Sequence, residues 1–68
     1  MTNKEAIESA MQYIKAARRS VQIAIGTLED VQEERLSILA AQHYANLGIF
    51  CLELEIKLKE EDESAKDS

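Results

Sequence analysis

Apolar residues in the first half of the chain recur every three or four positions and alternate a large aliphatic residue with an alanine. Such spacing places them on one stripe of a helix. Because alanine lets another helix approach closely, the row predicts tight helix-on-helix packing rather than a substrate cleft. The residues of this alanine row are Ile7, Ala10, Ile14, Ala17, Val21, Ala24, Leu28 and Val31.

The bounds of the first helix follow from local signals. Thr2 and Glu5 have the spacing of a capping box and predict a helix start there. Gly26 is the residue type that most easily ends a helix, so we predict helix 1 over about 3–25 and a turn at 26–30. The alternative is one continuous helix through this region, with the break near Gly48.

The second half predicts a longer helix, over about 30–59, with two apolar stripes that one partner helix cannot cover. Residues 52–59 also alternate like a strand, but Glu53–Lys57 is a favourable i,i+4 pair and we favour helix. The first stripe is Leu36, Ala40, His43, Leu47, Phe50 and Leu54. The second stripe is Ile38, Ala41, Ala45, Ile49, Leu52 and Ile56.

Length and composition favour self-association. A chain of 68 residues buries little surface, and small domains compensate with disulfides, a metal or oligomerisation. Cys51 and His43 are the only cysteine and histidine, which excludes an internal disulfide and a structural zinc site. We predict an all-α fold, a helical hairpin of two long antiparallel helices that pairs with a second copy as a dimeric four-helix bundle. Its dimer and core positions are Ile7, Ala10, Ile14, Ala17, Val21, Ala24, Leu28, Leu47, Phe50 and Leu54.

The net charge of −5 is concentrated at the end of the chain. Residues 60–68 carry five acids and one lysine, whereas residues 1–59 are nearly neutral. A segment without large apolar residues gains little by ordering, so we predict a disordered acidic tail over 60–68. An acidic mimic of nucleic acid is the functional alternative.

Catalysis has little support in the sequence. Cys51 and His43 lie about 12 Å apart along one helix, too far for a nucleophile and its base. No Glu-x-x-His pair of a di-metal bundle occurs. We therefore predict no enzyme, no cofactor and no metal. The start lacks the pattern of a secretory signal, no apolar run is long enough to span a membrane, and a cytoplasmic protein with a reduced thiol is expected.

One face of helix 1 is basic and suggests RNA as a ligand. Two such faces side by side in a dimer would form a positive strip. In length, layering of small and large core residues, and charge placement, the chain resembles the Rop type of plasmid copy-number regulator. That resemblance implies binding of paired RNA stem-loops, and no shared residue motif assigns individual sites. The candidate nucleic-acid-binding residues are Lys4, Lys15, Arg18, Arg19 and Gln22.

The function that we favour from the sequence is a small non-catalytic protein-binding regulator, an inhibitor or adaptor from a bacterial or phage setting. The surplus apolar surface of helix 2 supports it. Met11, Tyr13 and Ile25 flank the alanine row and are the predicted protein contacts. A Rop-like RNA-binding regulator and a small structural subunit of a larger assembly are the alternatives.

Overall fold

The chain forms a helical hairpin, which confirms the predicted fold class. A computed structural model describes residues 1–67, and the side chains of residues 1–64. Helix α1 spans Asn3–Asp30 and helix α2 spans Glu34–Asp67, and the two pack antiparallel. The backbone measures 55 × 17 × 11 Å, so the hairpin is a single layer of two helices. One layer cannot enclose a core, and side chains that point out of it stay exposed.

Helix α1 begins with the predicted capping box. The backbone N–H of Glu5 donates to the Thr2 hydroxyl oxygen at 3.1 Å, and the backbone N–H of Thr2 lies 3.5 Å from a carboxylate oxygen of Glu5. Two backbone donors that a helix start leaves unpaired are thereby satisfied.

The end of helix α1 differs from the prediction. The helix continues through Gly26, whose φ is not positive, and ends at Asp30; two residues later, Gln32 adopts the left-handed conformation with φ 61°. The N–H of Gln32 donates to the Glu29 carbonyl at 3.0 Å, and the next N–H donates to the Leu28 carbonyl at 2.8 Å. These two bonds form a Schellman motif. The predicted turn at 26–30 is therefore wrong. The helix includes these residues, and the turn that follows is formed with Gln32, not with a glycine, in the left-handed conformation.

Helix α2 is longer than predicted and uninterrupted. It passes through Gly48 and through residues 52–59, so neither the alternative break nor the alternative strand occurs. It also continues over residues 60–67, where the sequence predicted a disordered tail; residue 68 lies outside the described residues. Glutamate and lysine favour helix, and Lys57 donates to Glu60 at 3.3 Å, one turn further on.

The seam between the helices is rotated from the predicted alanine row. Met11, predicted as an exposed partner contact, is only 7% exposed, while Ala24 of the alanine row is exposed. With only one partner helix to pack against, α1 places its larger side chains in the centre of the seam, and the alanines lie at the edge of the seam. The residues of this seam, all buried or half-buried, are Ile7, Met11, Ile14, Arg18, Val21, Ile25 and Leu28.

Two contacts fix the register and the two broad sides of the hairpin. Arg18 lies against Gly48, and Lys4 pairs with Asp62. At about 100° per residue, these contacts and Lys15 belong to one side, which we call the cation side. The opposite side, which we call the alanine side, carries small residues of α1 and large apolar residues of α2. Its members are Ala10, Ala17 and Ala24 of α1 and Leu36, Leu39, His43 and Phe50 of α2.

Candidate functional site

Four of the five predicted nucleic-acid-binding residues come together on the cation side. They line one shallow pocket, to which α2 contributes an aromatic ring. Among the residues that the structure describes, none of the three cations in it has a carboxylate oxygen within salt-bridge distance. We call this set the cation cluster: Lys15, Arg18, Arg19, Gln22 and Tyr44.

The guanidinium of Arg18 has a fixed place across the seam. Its Cζ lies 4.5 Å from the centre of the Tyr44 ring, within the range of a cation–π contact. A β-carbon at Gly48 would lie 3.2 Å from Nη2 of Arg18 and 3.4 Å from Cζ. Glycine at position 48 therefore makes room for the guanidinium rather than for another backbone.

Arg18 is an unusual seam residue, because its Nε is shielded from solvent and has no hydrogen-bond partner. Leaving a buried donor unpaired costs about 1–3 kcal/mol. A cation–π contact stabilises by only about 0.5–1 kcal/mol at exposed sites. An aliphatic residue at this position would avoid the unpaired donor, so packing alone does not account for an arginine here.

Lys4, the fifth predicted residue, does not belong to the cluster. It lies three turns before Lys15, roughly 16 Å along the axis. Its Nζ pairs with Asp62 at 2.9 Å. The hydrogen bond with Asp62, together with the charge of that carboxylate, raises the pKa of Lys4 above its ordinary value. The Lys4–Asp62 ion pair thus connects the start of α1 to residues 60–67 of α2, the segment that was predicted as a disordered tail.

The charges of the chain are segregated along the hairpin. Residues 9–28 of α1 contain three cations and no acid, and residues 36–52 of α2 contain no formally charged residue. The antiparallel register sets these stretches side by side in the middle of the hairpin. Every acid lies towards one of the two ends, so the cation cluster sits in an acid-free centre despite the net charge of −5.

The second apolar stripe of α2 is uncovered, as its width predicted. We call it the outer stripe, and it follows α2 on the surface turned away from the seam. Ile38, Ile49, Leu52 and Ile56 are each between 54% and 59% exposed. Ala41 and Ala45 complete the stripe and are also exposed.

The alanine side is uncovered as well. Phe50 and Leu36 are 47% and 46% exposed, and Ala24 is open to solvent. Phe50 and Ala24 are two of the predicted dimer and core positions, and the single hairpin leaves both uncovered. The other predicted core positions are half-buried in the hairpin. These are Ile7, Ala10, Ile14, Ala17, Val21, Leu28, Leu47 and Leu54.

The three predicted protein contacts lie in different environments. Tyr13 is 74% exposed, next to the alanine side. Met11 is buried and Ile25 is half-buried, because both belong to the seam. In the hairpin, Met11 is therefore core and not a contact for another protein, which corrects the prediction. Tyr13 alone of the three is freely accessible.

Sequence reasoning did not identify the α2 half of the cation cluster. Gly48 was considered as an alternative helix break, and Tyr44 was not linked to the arginines. The signal that could have identified them is an aromatic residue and a glycine at i and i+4 on α2, where a long cation on α1 can lie across both.

The two residues with the most reactive side chains are not placed for joint chemistry. Cys51 is a free thiol, 6% exposed in the seam, as expected for a small apolar residue. His43 is exposed on the alanine side, so it is not a core histidine of the hairpin. Across the described chain, no group of three or more His, Cys, Asp or Glu side chains is arranged to hold a metal ion.

Comparison with protein-family models, with curated proteins and with solved structures found no match to this chain. Over the described residues, neither helix has the length and apolar content needed to cross a membrane. The residues of the chain therefore carry the functional argument alone.

Proposed function

We propose that the protein is a non-catalytic interaction module that works as a helical bundle. Two copies pair through their alanine sides, and the outer stripe of each copy binds a helix of a protein partner, in the manner of an inhibitor or adaptor. The observation that carries this proposal is the outer stripe, a straight apolar row along α2 that the hairpin leaves uncovered.

The balance of covered and uncovered surface supports a partner. Within the described chain, Met11 and Cys51 are the buried apolar residues, whereas seven large apolar residues of α2 are exposed. Full burial of a leucine or isoleucine stabilises by about 1.5–3 kcal/mol. At about half exposure, each side chain of the outer stripe has roughly 1 kcal/mol left to gain. The four large residues of the stripe together give roughly 4 kcal/mol on docking.

The alanine side suits a second copy better than the outer stripe does. Both helices contribute apolar residues to it, so two hairpins facing each other would enclose a core between four helices. Ala17 and Ala24 permit close approach of the partner helices, while Phe50 and Leu36 supply the larger side chains. The outer stripe belongs to α2 alone and fits a single added helix.

Two neighbouring residues provide a matched test of self-association. Ile49 lies on the outer stripe and Phe50 on the alanine side, about 100° further around the helix. We expect Phe50→Glu to dissociate the dimer in sedimentation equilibrium at micromolar concentration, because it buries a charge between the copies. Ile49→Glu should sediment as the parent does. A parent that is monomeric at these concentrations, or a Phe50→Glu variant that still dimerises, would contradict the pairing.

A site-specific crosslink tests the protein partner. A photoreactive residue at position 52, on the outer stripe, should give an adduct with one defined protein in native-host cells, and nuclease should not remove it. The same group at position 12, on the polar surface of α1, is the control. Equal adducts at both positions, or none at position 52, would contradict the proposed use of the stripe.

A further inference from the structure

The cation cluster is not explained by the proposed pairing of two copies or by the docking of a partner helix. Apolar surfaces explain pairing and docking, but they leave the three adjacent cations of α1 without a role. Lys15, Arg18 and Arg19 lie within little more than one turn of α1 and border the same pocket as Gln22 and Tyr44. Each of the three cations lacks a carboxylate partner in the part of the chain described by the structure.

The local field at this pocket is positive. Along α1, the nearest acid before Lys15 is Glu8, roughly 10 Å away along the axis. On α2, the nearest acid after Gly48 on the cation side is Glu55, also roughly 10 Å away. At about one Debye length in 0.1 M salt the attraction of these exposed acids is weakened, so they offset the cations in the centre only in part.

Arg18 is positioned before any ligand arrives. The Tyr44 ring and the α2 backbone near Gly48 both lie close to its guanidinium and restrict it. A restricted cation loses less conformational freedom on binding than a free surface arginine. Lys15 and Arg19 are exposed and can close on a ligand from the α1 side.

We propose that the cation cluster binds phosphate groups. Three cations suit a multiply charged anion, since a single carboxylate would neutralise only one of them. A guanidinium donates two parallel hydrogen bonds to phosphate oxygens, and a lysine adds a point charge. The amide of Gln22 and the hydroxyl of Tyr44 add uncharged hydrogen-bond donors at the rim of the pocket. The phosphate can come from a free polyphosphate or from the backbone of an RNA duplex.

The test compares two double variants that change the net charge equally. Lys15→Gln with Arg19→Gln removes two cations from the cluster, whereas Lys4→Gln with Lys57→Gln removes two cations that are paired with acids. Inorganic tripolyphosphate and a short RNA duplex are titrated separately by calorimetry into the full chain. We expect the cluster variant to bind about tenfold more weakly or worse, and the control variant to bind as the parent does within about twofold.

The two ligands distinguish the sources of phosphate. Tripolyphosphate binding that depends on the cluster supports a free polyphosphate, and RNA binding alone with the same dependence supports the nucleic-acid backbone. In the RNA case, the salt dependence should flatten in the cluster variant because fewer counterions are released. Arg18→Leu should weaken the same binding without lowering the melting temperature. Absence of binding to both ligands, or equal losses in the two double variants, would overturn the proposal.

Discussion

Replacing each of the two glycines by alanine tests whether Arg18 occupies the place beside Gly48. Both glycines lie within helices, where alanine is more favourable by about 0.8–1.0 kcal/mol. A β-carbon at Gly26 would meet no atom within 4 Å. Gly26→Ala should therefore raise the free energy of unfolding by about 1 kcal/mol.

At Gly48, a close contact with Arg18 opposes the same gain in helix stability. The new β-carbon would lie 3.2 Å from Nη2 of Arg18, so the guanidinium must shift and give up part of its contact with Tyr44. Losing that contact costs about 0.5–1 kcal/mol. Because the guanidinium needs to move by only a few tenths of an ångström, only part of this cost applies, and we expect Gly48→Ala to stabilise by about 0.5 kcal/mol, roughly half the gain at Gly26.

Urea unfolding followed by circular dichroism at one fixed protein concentration measures both variants, because any self-association makes stability concentration-dependent. In the Arg18→Ala background the obstacle is absent, and Gly48→Ala should recover the gain of about 1 kcal/mol. Equal gains at both glycines in the parent background would refute the position of the guanidinium.

Three further comparisons between variants test other parts of the fold. Gln32→Gly should stabilise the protein by about 0.5–1 kcal/mol in the same urea assay, since φ at this residue is positive, and Gln32→Ala should give no gain. Met11→Ala should cost about 2 kcal/mol, whereas Tyr13→Ala should stay within about 0.5 kcal/mol, because only Met11 is in the seam. The raised pKa of Lys4 means that its pairing stabilises the fold below the ordinary lysine pKa and is lost as the pH rises through the folded value. The melting temperature of the parent should therefore fall towards that of Asp62→Asn above about pH 10.5; a constant difference between the two would contradict this.

The start of α1 was predictable because its signal is local. Thr2 and Glu5 need only three residues of spacing to satisfy each other, and no tertiary contact competes with them. The end of α1 was not predictable in the same way, because Gly26 lies within the helix without a positive φ, and the Thr27 hydroxyl donates to the Ile23 carbonyl inside the same helix. The closing residue is Gln32, and no propensity scale marks glutamine for the left-handed conformation.

The composition of residues 60–67 gave a wrong prediction for a related reason. An acidic segment without large apolar residues resembles a disordered tail when it is considered alone. Here it follows a helix that is already formed, and extending a helix is easier than starting one. The Lys4–Asp62 pair adds a tertiary contact that the sequence alone does not reveal.

The rotation of the seam has a physical cause that bears on the proposed dimer. Two rows of α1 both satisfy the heptad spacing, one through Ala10 and Ala17 and the other through Met11 and Arg18. Sequence periodicity cannot choose between them, since both rows contain Ile7, Ile14, Val21 and Leu28 and differ in the residues between these four. A lone hairpin buries the row with the larger side chains, because that choice removes more apolar surface from water.

The same choice leaves the alanines at the edge of the seam, where a second hairpin could approach α1 closely. Both rows can then be used, the one through Met11 within a copy and the one through Ala17 between copies. A single heptad row predicts one partner helix, whereas two rows that share residues predict a helix with neighbours on two sides. Under the proposed pairing, the regular large–small alternation of the alanine row would serve contacts between copies, and the placement of Arg18 in the other row leaves its guanidinium on the opposite, cation side of the hairpin.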